Sequence, residues 1–527
     1  MSQTFDAIVI GSGFGGAIAA CRAAEQGMKV LVLERGRRWS AKDYPRKPGD
    51  AWLFNDREPA RQNGWLDLRF FQQMAVAQAA GVGGGSLTYS SVALEAHPSL
   101  FKKDWPQEIT YDELKPYYDK VAQVMNLQPL PDGQLTRRFT LAREGAEKLG
   151  HAGRFSKVPL AVSFSPEWHY GLKDPFTAQH SKTFTNAQGQ QQGTCIHLGN
   201  CDVGCDVRAK NTLDLNYIPL AEHHGAEVRP LHVVRVIEPQ GAVYRVVYDR
   251  IQDGRLARGE ARARRVLLAA GSLGSTELLL RCRDDVRTLP RLSGRLGRRW
   301  SANANVVSMA TYADPERVRQ TIGPTISSAI DFAEGDAADA PRFIIEDDGF
   351  PNVLLNALRA CLDNGGARGI GRSLLARIEE HVRGDERSRN VMVWLGAGGD
   401  AADGELALKR PWFAPWTRQL DLRWDARNST RVVDAILAMH RSLTEKTGGR
   451  VSPAATFTPA RTTLTLHPLG GCAMGATADA GVVSHLGQVF NYPNLYVVDG
   501  SIVPTSTVRN PSHTIAALAE RIAAHLD

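Results

Sequence analysis

The feature that most constrains the fold of this chain is its first segment, residues 6 to 36, which reads DAIVIGSGFGGAIAACRAAEQGMKVLVLERG. An apolar run predicts a strand, and the apolar spacing after it predicts a helix followed by a second strand. Between the first strand and the helix, Gly11, Gly13 and Gly16 allow a tight turn and close approach of the backbone to a pyrophosphate. The segment therefore predicts a βαβ unit with a phosphate-binding helix N-terminus.

The second strand ends at Glu34, 18 residues after Gly16. A carboxylate at this place can accept a hydrogen bond from an adenosine ribose hydroxyl, and it disfavours the 2′-phosphate of NADP. A glycine-rich turn alone occurs in many α/β proteins, but here the strand, the helix and the acid all agree. We therefore expect the segment to bind FAD or NAD.

Composition narrows the class of protein. The chain has 527 residues, which favours several domains or one large fold with an inserted lobe. Its net charge of +7 is spread along the chain, so it does not indicate a nucleic-acid partner. The seven cysteines are odd in number and mostly scattered, and the N-terminus carries no secretion pattern. We therefore expect a cytoplasmic protein without a disulfide framework.

A second glycine-rich segment, GVGGGSLTYSS, spans residues 81 to 91 and contains Gly81, Gly83, Gly84, Gly85 and Ser86. Four glycines in five positions let the backbone lie flat against a planar or anionic ligand. Apolar residues bracket the segment closely, which argues against a flexible linker. We expect it to contact a ligand.

A third turn of this kind, at Gly271 within RRVLLAAGSLGSTELLL, again joins an apolar strand to a helix. Between residues 302 and 455 these turns stop and strand-like runs alternate with helical ones, which indicates an inserted lobe. Within the lobe, apolar residues recur at helical spacing from Leu354 to Val382, with arginines between them. This stripe favours two helices packed over the lobe, with a helix in peripheral contact with a membrane as the alternative.

The last 65 residues contain two side chains suited to chemistry. His467, in TLTLHPLGGCAMG, and Asn510, in VRNPSHTIAALAER, each precede a proline. Proline restricts the residue before it and can hold that side chain at one angle. His513, three residues beyond Asn510, is expected to pack or cap at a helix start.

With these motifs in order, the chain resembles the glucose-methanol-choline family of FAD-dependent oxidoreductases, and most of all its cholesterol oxidase branch. The matching stretches are GSGFGG, GVGGGSL, LLAAGSLGSTELLL, HPLGGC, NLYVVDGS and NPSHTIAALAER. We therefore expect an α/β fold: a Rossmann-type FAD-binding domain assembled from discontinuous segments, and an inserted α+β substrate-binding lobe. The expected ranges are 1–45, 76–110, 205–301 and 460–527 for the first, and 46–75, 111–204 and 302–459 for the lobe and connections.

The resemblance implies noncovalent FAD as the cofactor. It places the pyrophosphate on Gly11 to Gly16, the adenosine ribose on Glu34 and the adenine near Val234. It places the flavin ring against Gly81 to Ser86 and the ribityl-phosphate region at Asp499 and Gly500. Gly271 is a further expected contact with the cofactor.

The resemblance also implies His467 and Asn510 at the reactive face of the flavin. Alcohol oxidation needs loss of the hydroxyl proton and transfer of a hydride to flavin N5. His467 would position the hydroxyl and accept its proton, while Asn510 would bond the alkoxide or stabilise reduced flavin. Sterol oxidases add a glutamate from the lobe, and Glu346 in FIIEDDGFP matches it as base or proton shuttle, with Asp347 and Asp348 as alternatives.

The resemblance and the apolar lobe favour a bulky apolar or sterol-like alcohol as substrate, with oxygen or an electron carrier as acceptor. A lyase on the same scaffold, which keeps FAD without net redox chemistry, is the alternative.

One cysteine cluster, Cys195, Cys201 and Cys205 in GTCIHLGNCDVGC, raises a further possibility. Its spacing resembles the cluster segment of bacterial FAD-dependent glucose dehydrogenases, which implies a three-iron cluster and a dehydrogenase that passes electrons to a carrier. Three reduced thiols, or zinc with His197 as a further ligand, are the alternatives.

Overall fold

The computed structural model describes residues 4–314, 316–335, 337, 339–351, 353, 390–410, 416–451 and 463–526. The apolar stripe predicted between Leu354 and Val382 lies outside the described residues, so its packing and any membrane contact stay a prediction. None of the helices in the described part of the chain is long and apolar enough to cross a membrane.

The strands, in chain order, are β1 Thr4–Ile10, β2 Val30–Leu33, β3 Leu66–Phe70, β4 Met74–Ala79, β5 Phe155–Lys157, β6 Phe184–Thr185, β7 Gln191–Gln192, β8 Glu227–Arg229, β9 His232–Gln240, β10 Val243–Gln252, β11 Arg255–Leu268, β12 Val306–Thr311, β13 Ser328–Asp331, β14 Phe343–Asp348, β15 Val391–Gly398, β16 Glu405–Lys409, β17 Gln419–Arg423, β18 Arg450–Val451, β19 Thr463–Thr465 and β20 Leu495–Val497. The α-helices are α1 Phe14–Glu25, α2 Tyr111–Val124, α3 Arg137–Lys148, α4 Tyr217–His223, α5 Gly271–Leu280, α6 Thr430–Lys446 and α7 Ser512–Ala523.

The larger sheet confirms the predicted Rossmann-type unit. Its order is β8-β2-β1-β11-β10-β9, and β20 also pairs with β11. The pairs β8–β2, β2–β1, β1–β11 and β11–β20 are parallel, whereas β9, β10 and β11 form an antiparallel meander. Parallel strands are covered on both faces, which explains why β2 is an uninterrupted and fully buried VLVL. Helix α1 packs against α4 and α7 beside this sheet.

The lobe is built on a second, six-stranded sheet in the order β18-β12-β15-β14-β13-β5, in which every pair is antiparallel. Helices α3 and α6 pack against it and share a hydrophobic core with it. Successive side chains of a strand point to opposite faces. Glu346 and Asp348 of β14 therefore share one face of this sheet, and Asp347 lies on the other.

The strands of the two sheets fall inside the ranges expected for the two domains. The Rossmann-type sheet uses strands within residues 4–33, 227–268 and 495–497, and the lobe sheet uses strands within 155–157, 306–348, 391–398 and 450–451. The expected boundary between residues 75 and 76 falls within β4, which pairs with both β3 and β19. The boundaries themselves remain a prediction.

Candidate active site

A cavity of about 310 Å³ is lined by residues of both sheets. Its walls include the ends of β1 and β2, both glycine-rich loops, the lobe strands β14 and β15, and the His-Pro and Asn-Pro turns. Ligands of open α/β sheets bind at the carboxyl ends of the parallel strands. The cavity therefore lies where the fold class predicts a ligand.

The first glycine turn is shaped by close backbone contacts. Gly11 has φ +98°, which an L side chain rarely adopts, and it lines the cavity together with Gly13. A Cβ on Gly15 would lie 1.9 Å from the carbonyl oxygen of Val498. Gly16 is packed under the turn, where a Cβ would lie 2.1 Å from the oxygen of Gly11. Glycine is therefore required here for packing as much as for access to a ligand.

Glu34 lines the cavity at the end of β2 and is 5% exposed. Its Oε2 accepts hydrogen bonds from the Ser12 N–H at 3.1 Å and the Ser12 hydroxyl at 2.7 Å, and its Oε1 accepts one from the Gly36 N–H at 2.8 Å. These bonds hold the carboxylate against the glycine turn. Each oxygen keeps a further lone pair that a ribose hydroxyl can use.

The second glycine-rich loop contacts the first. Gly84 has φ +50°, and a Cβ on it would lie 2.4 Å from the Cα of Gly13. Gly84 and Gly85 line the cavity. The other expected members of this loop lie outside the lining and shape the turn from behind: Gly81, Gly83 and Ser86.

Asp499 closes another part of the wall. Its Oδ2 accepts bonds from the Gly271 N–H at 2.9 Å and the Ser275 hydroxyl at 2.5 Å, which joins the third glycine turn to the C-terminal segment. Asp499 and Gly271 line the cavity, as do Gly500 and Val234. The glycine cradle and the acid at its strand end fit the pyrophosphate and ribose of a dinucleotide such as FAD.

His467 lines the same cavity, and its protonation is fixed by its neighbours. Asn305 Oδ1 accepts hydrogen bonds from the Thr465 hydroxyl at 2.9 Å and the Leu466 N–H at 3.3 Å. Its Nδ2 is therefore turned to His467 and donates to Nδ1 at 3.0 Å. Burial lowers the pKa of His467 to about 4, so the ring is neutral and carries its proton on Nε2. In this state Nε2 donates a hydrogen bond and cannot accept a proton.

Asn510 and Glu346 form a buried pair. Asn510 lines the cavity, and its Nδ2 donates to Glu346 Oε2 at 3.2 Å. Glu346 is fully buried behind Asn510 and is not part of the lining. Burial raises the pKa of Glu346 to about 8. The Oδ1 of Asn510 and the Oε1 of Glu346 are both buried without a hydrogen-bond partner among the described residues.

The two alternatives to Glu346 differ from each other. Asp347 accepts bonds from the N–H groups of Ser327 and Ser328 at 2.9 and 2.6 Å, which gives it a structural role on the far face of the sheet. Asp348 instead lines the cavity. So does Asp202, which the sequence reasoning missed because it lies inside the cysteine segment.

The structure gives no support for a metal at the cysteines. Within the described residues, no group of three or more His, Cys, Asp or Glu side chains is arranged to hold a metal ion. Cys195 Sγ accepts a bond from the His197 N–H at 3.4 Å, and Cys205 Sγ accepts one from the Ala209 N–H at 3.2 Å. Burial raises the pKa of the Cys195 and Cys201 thiols, so the protonated thiol is favoured at both.

His197 is not available as a zinc ligand either. Its Nδ1 is 2.9 Å from the Tyr170 hydroxyl and its Nε2 is 3.2 Å from Gln134 Oε1. The ring also stacks on Trp168, with 4.0 Å between centroids. Both nitrogens and one ring face are thus used in packing.

Other residues that the sequence reasoning missed hold the turns of His467 and Asn510 in place. Asn303 donates to the Arg509 carbonyl at 3.0 Å and accepts from the Val508 N–H at 3.0 Å, next to Asn510. Together with Asn305 it ties the lobe to the His-Pro and Asn-Pro turns. The only sequence signal is the pair of asparagines in SANANV. His513 lies outside the lining, with its two nitrogens 2.9 and 3.0 Å from backbone carbonyls.

Comparisons with known proteins agree with this geometry. Two family models, both described as GMC oxidoreductase, match residues 5–282 and 400–519. A cholesterol oxidase from Acinetobacter baumannii is 29% identical, with 99% of this chain and 94% of that protein covered. A 2-methyl-1,2-propanediol dehydrogenase from Mycolicibacterium austroafricanum is 24% identical, with 98% and 94% covered.

Two solved structures share the fold. Pyridoxine 4-oxidase from Mesorbium loti aligns with a TM-score of 0.59 at 19% identity, with 99% of each chain covered. A variant of formate oxidase from Aspergillus oryzae aligns with a TM-score of 0.64 at 13% identity, with 99% of this chain and 98% of that chain covered. At these identities the likeness is one of fold.

Proposed function

Because the chain belongs to the GMC oxidoreductase family of FAD-binding flavoenzymes that oxidise alcohols, we propose that its substrate is a bulky, largely apolar alcohol of the sterol kind. The product is the corresponding carbonyl compound. Oxygen or an electron carrier takes the electrons afterwards.

The observation that carries the proposal is the pairing of two polar groups at one cavity. His467 presents an N–H at Nε2, and Asn510 Oδ1 is buried without a described partner. A donor and an acceptor together can hold a hydroxyl group in one orientation. Glycine turns and Glu34 line the rest of the same cavity. Bound FAD would supply the hydride acceptor there.

In this arrangement His467 donates to the substrate oxygen and stabilises the charge that grows on it as the proton leaves. The proton then needs another acceptor. Glu346 is the candidate because its Oε1 has no described partner and its neighbour Asn510 lines the cavity. A carboxyl group with a pKa of about 8 is close to the value that suits a base near neutral pH.

The preference for an apolar alcohol rests on the side chains around His467. Leu466 lines the cavity and is 53% exposed, so its side chain offers apolar surface that a substrate can cover. Val92, Ile326 and Leu395 add apolar surface to the lining. A sugar would leave its hydroxyl groups without partners against these side chains.

The test is anaerobic mixing of the FAD-loaded enzyme with sterols, long-chain alcohols, diols and sugars, followed by flavin absorbance. We expect bleaching to be fastest with the large apolar alcohols. Product formation with permanently oxidised flavin would support a lyase instead, and bleaching only by sugars would contradict the apolar preference. Reoxidation of the bleached enzyme by air or by a soluble dye then identifies the acceptor.

A cytoplasmic location is part of the same proposal. It is supported by the odd number and the scatter of the seven cysteines. Fractionation of cells expressing the full chain tests it.

A further inference from the structure

We propose that Asn303 and Val508 are positioning residues for the oxidation of the alcohol: Asn303 holds a strained turn at Val508, and this turn directs the Asn510 side chain to the cavity. The proposal rests on the proposed function, because it assigns a task to two further residues of the same site. Neither of them lines the cavity, so each acts through Asn510.

The backbone of Val508 adopts a conformation that its side chain disfavours. Its φ is +66°, and it is the one β-branched residue with positive φ in the part of the chain that the structure describes. The Arg509 N–H donates to the Thr507 carbonyl at 2.7 Å, which closes a three-residue γ-turn around Val508. A γ-turn with positive φ at its central residue is rare and strained. Such strain persists only where surrounding contacts hold it, and it is concentrated at functional sites.

The Asn303 side chain supplies these contacts. Its Oδ1 accepts hydrogen bonds from the Val508 N–H at 3.0 Å and the Ser506 hydroxyl at 2.7 Å, and its Nδ2 donates to the Arg509 carbonyl at 3.0 Å. The Thr507 hydroxyl adds a bond to the same carbonyl at 2.7 Å. One buried amide thus bonds the chain on both sides of the strained residue.

Asn303 is itself held by the lobe. It is completely buried, and its carbonyl accepts a hydrogen bond from the N–H of Gly398, at the end of β15, at 2.9 Å. The nearby Asp400 carboxylate accepts bonds from the N–H groups of Ala302 and Ala304 at 2.8 and 3.3 Å. Both neighbours of Asn303 are therefore fixed to the lobe, and the lobe determines where the turn lies.

Asn510 depends on this turn because it follows the turn directly. Within the described residues its side chain makes one hydrogen bond, from Nδ2 to Glu346 Oε2 at 3.2 Å, and its Oδ1 has no partner. If Val508 returned to a negative φ, the chain after it would change direction, and Asn510 would move away from Glu346 and the cavity. A displacement of about 1 Å in an active site can cost about 100-fold in rate.

Asn303→Gly removes the amide without adding strain, because Asn303 has φ +55°, which glycine adopts readily. His467 keeps a donor at Nδ1, since Asn305 Nδ2 lies 3.0 Å from it. We expect the rate of flavin reduction at saturating alcohol to fall about 100-fold in the FAD-loaded enzyme, with FAD loading unchanged. Stopped-flow absorbance measures it.

A second change, at position 508, separates positioning from general damage. Glycine adopts positive φ without strain, whereas alanine keeps the Cβ that causes the strain. We expect Asn303→Gly to cost about 10-fold less in rate in a Val508→Gly background than in the parent enzyme, and the full cost in a Val508→Ala background. Val508 is 5% exposed, so both changes at this position remove buried apolar surface and lower thermal stability. A purely structural role for Asn303 would give the same cost in both backgrounds.

Thr507→Val is the milder variant if Asn303→Gly does not fold, because it removes only the hydroxyl bond to the Arg509 carbonyl. We expect a smaller loss of rate with the same dependence on position 508. A loss that is equal in the Val508→Gly and Val508→Ala backgrounds would contradict the proposal here as well.

Crystal structures of the FAD-loaded parent enzyme and of Asn303→Gly need no alcohol. We expect residue 508 to leave positive φ in the variant, and the distance from Asn510 Nδ2 to Glu346 Oε2 to exceed the range of a hydrogen bond. If no alcohol bleaches the parent flavin, the proposed function fails, and the two structures still decide whether Asn303 holds the turn. A variant that keeps both the turn and the Asn510 contact would overturn the proposal.

Discussion

The two sides of the cavity are built in different ways. The cofactor side is made of backbone: Gly11, Gly15 and Gly84 bring main-chain atoms closer together than any side chain would allow. The proposed reaction side is made of side chains, and His467, Asn510 and Glu346 come from segments up to 164 residues apart. Changes on the first side should therefore act on cofactor loading, and changes on the second on turnover.

The largest effect is expected from Gly15→Ala. The new Cβ would meet the Val498 carbonyl at 1.9 Å, so α1 must shift against the C-terminal segment. We expect loss of FAD, with about 100-fold weaker binding (~2.7 kcal/mol) or failure to fold. Gly13→Ala distinguishes weaker FAD binding from failure to fold. Its Cβ would have no protein atom nearer than 3.8 Å, so the fold tolerates it, yet it would lie in the cavity lining where the cofactor binds.

Flavin absorbance per protein and thermal unfolding measure both variants. Gly153→Ala is the control, since nothing lies within 4 Å of its Cβ. Normal FAD loading in Gly15→Ala would contradict the view that backbone approach builds the cofactor side.

The next largest effect is expected from His467→Asn. Loss of the Nε2 donor should lower kcat about 100-fold, as removal of one donor to a developing oxyanion does elsewhere, while FAD loading stays normal. Stopped-flow flavin reduction measures it, with the exposed His224→Asn as control. A variant that loses FAD along with turnover would break the division between the two sides.

Glu346→Gln should affect activity and stability in opposite directions. In the parent enzyme, turnover should rise with pH through about 8 as Glu346 ionises, and the variant should be slower without that rise. The raised pKa means that the folded state binds more protons than the unfolded state between about 4.5 and about 8, so stability falls as pH rises across this window.

The variant lacks that penalty. We expect its free energy of unfolding to exceed that of the parent enzyme by on the order of a few kcal/mol at about pH 9 and by little at about pH 5, given about 1.4 kcal/mol per pKa unit. Urea unfolding of both proteins at the two pH values measures the difference. Equal stability at about pH 9 would mean that Glu346 is not the buried acid that titrates.

The smallest effect is expected from Cys205→Ser. Its Sγ accepts one backbone hydrogen bond, which a hydroxyl can accept as well. Flavin reduction should stay within about twofold of the parent rate, and iron analysis should be unchanged. A large loss of iron with slower transfer to a carrier would reverse our view of this segment.

The same division explains what could be predicted from the sequence. The glycine turns and Glu34 form short motifs that can be recognised from their spacing in the sequence, and the βαβ unit they predict is confirmed. The His-Pro and Asn-Pro turns were visible for the same reason. Asp202, Asn303 and Asn305 have no such pattern, because their importance comes from contacts across more than 100 residues.

Lys210 joins the second glycine-rich loop to the cysteine segment in a way that matters for engineering. Its ammonium donates to the Leu87 carbonyl of the glycine-rich loop at 3.0 Å and to the Cys201 carbonyl at 2.6 Å, and it lies over the Tyr89 ring. A chimera that takes its lobe from a relative cannot exchange residues 195–211 and residues 81–91 independently. Both stretches must come from the same parent, which sets the crossover points for any attempt to change the substrate by recombination.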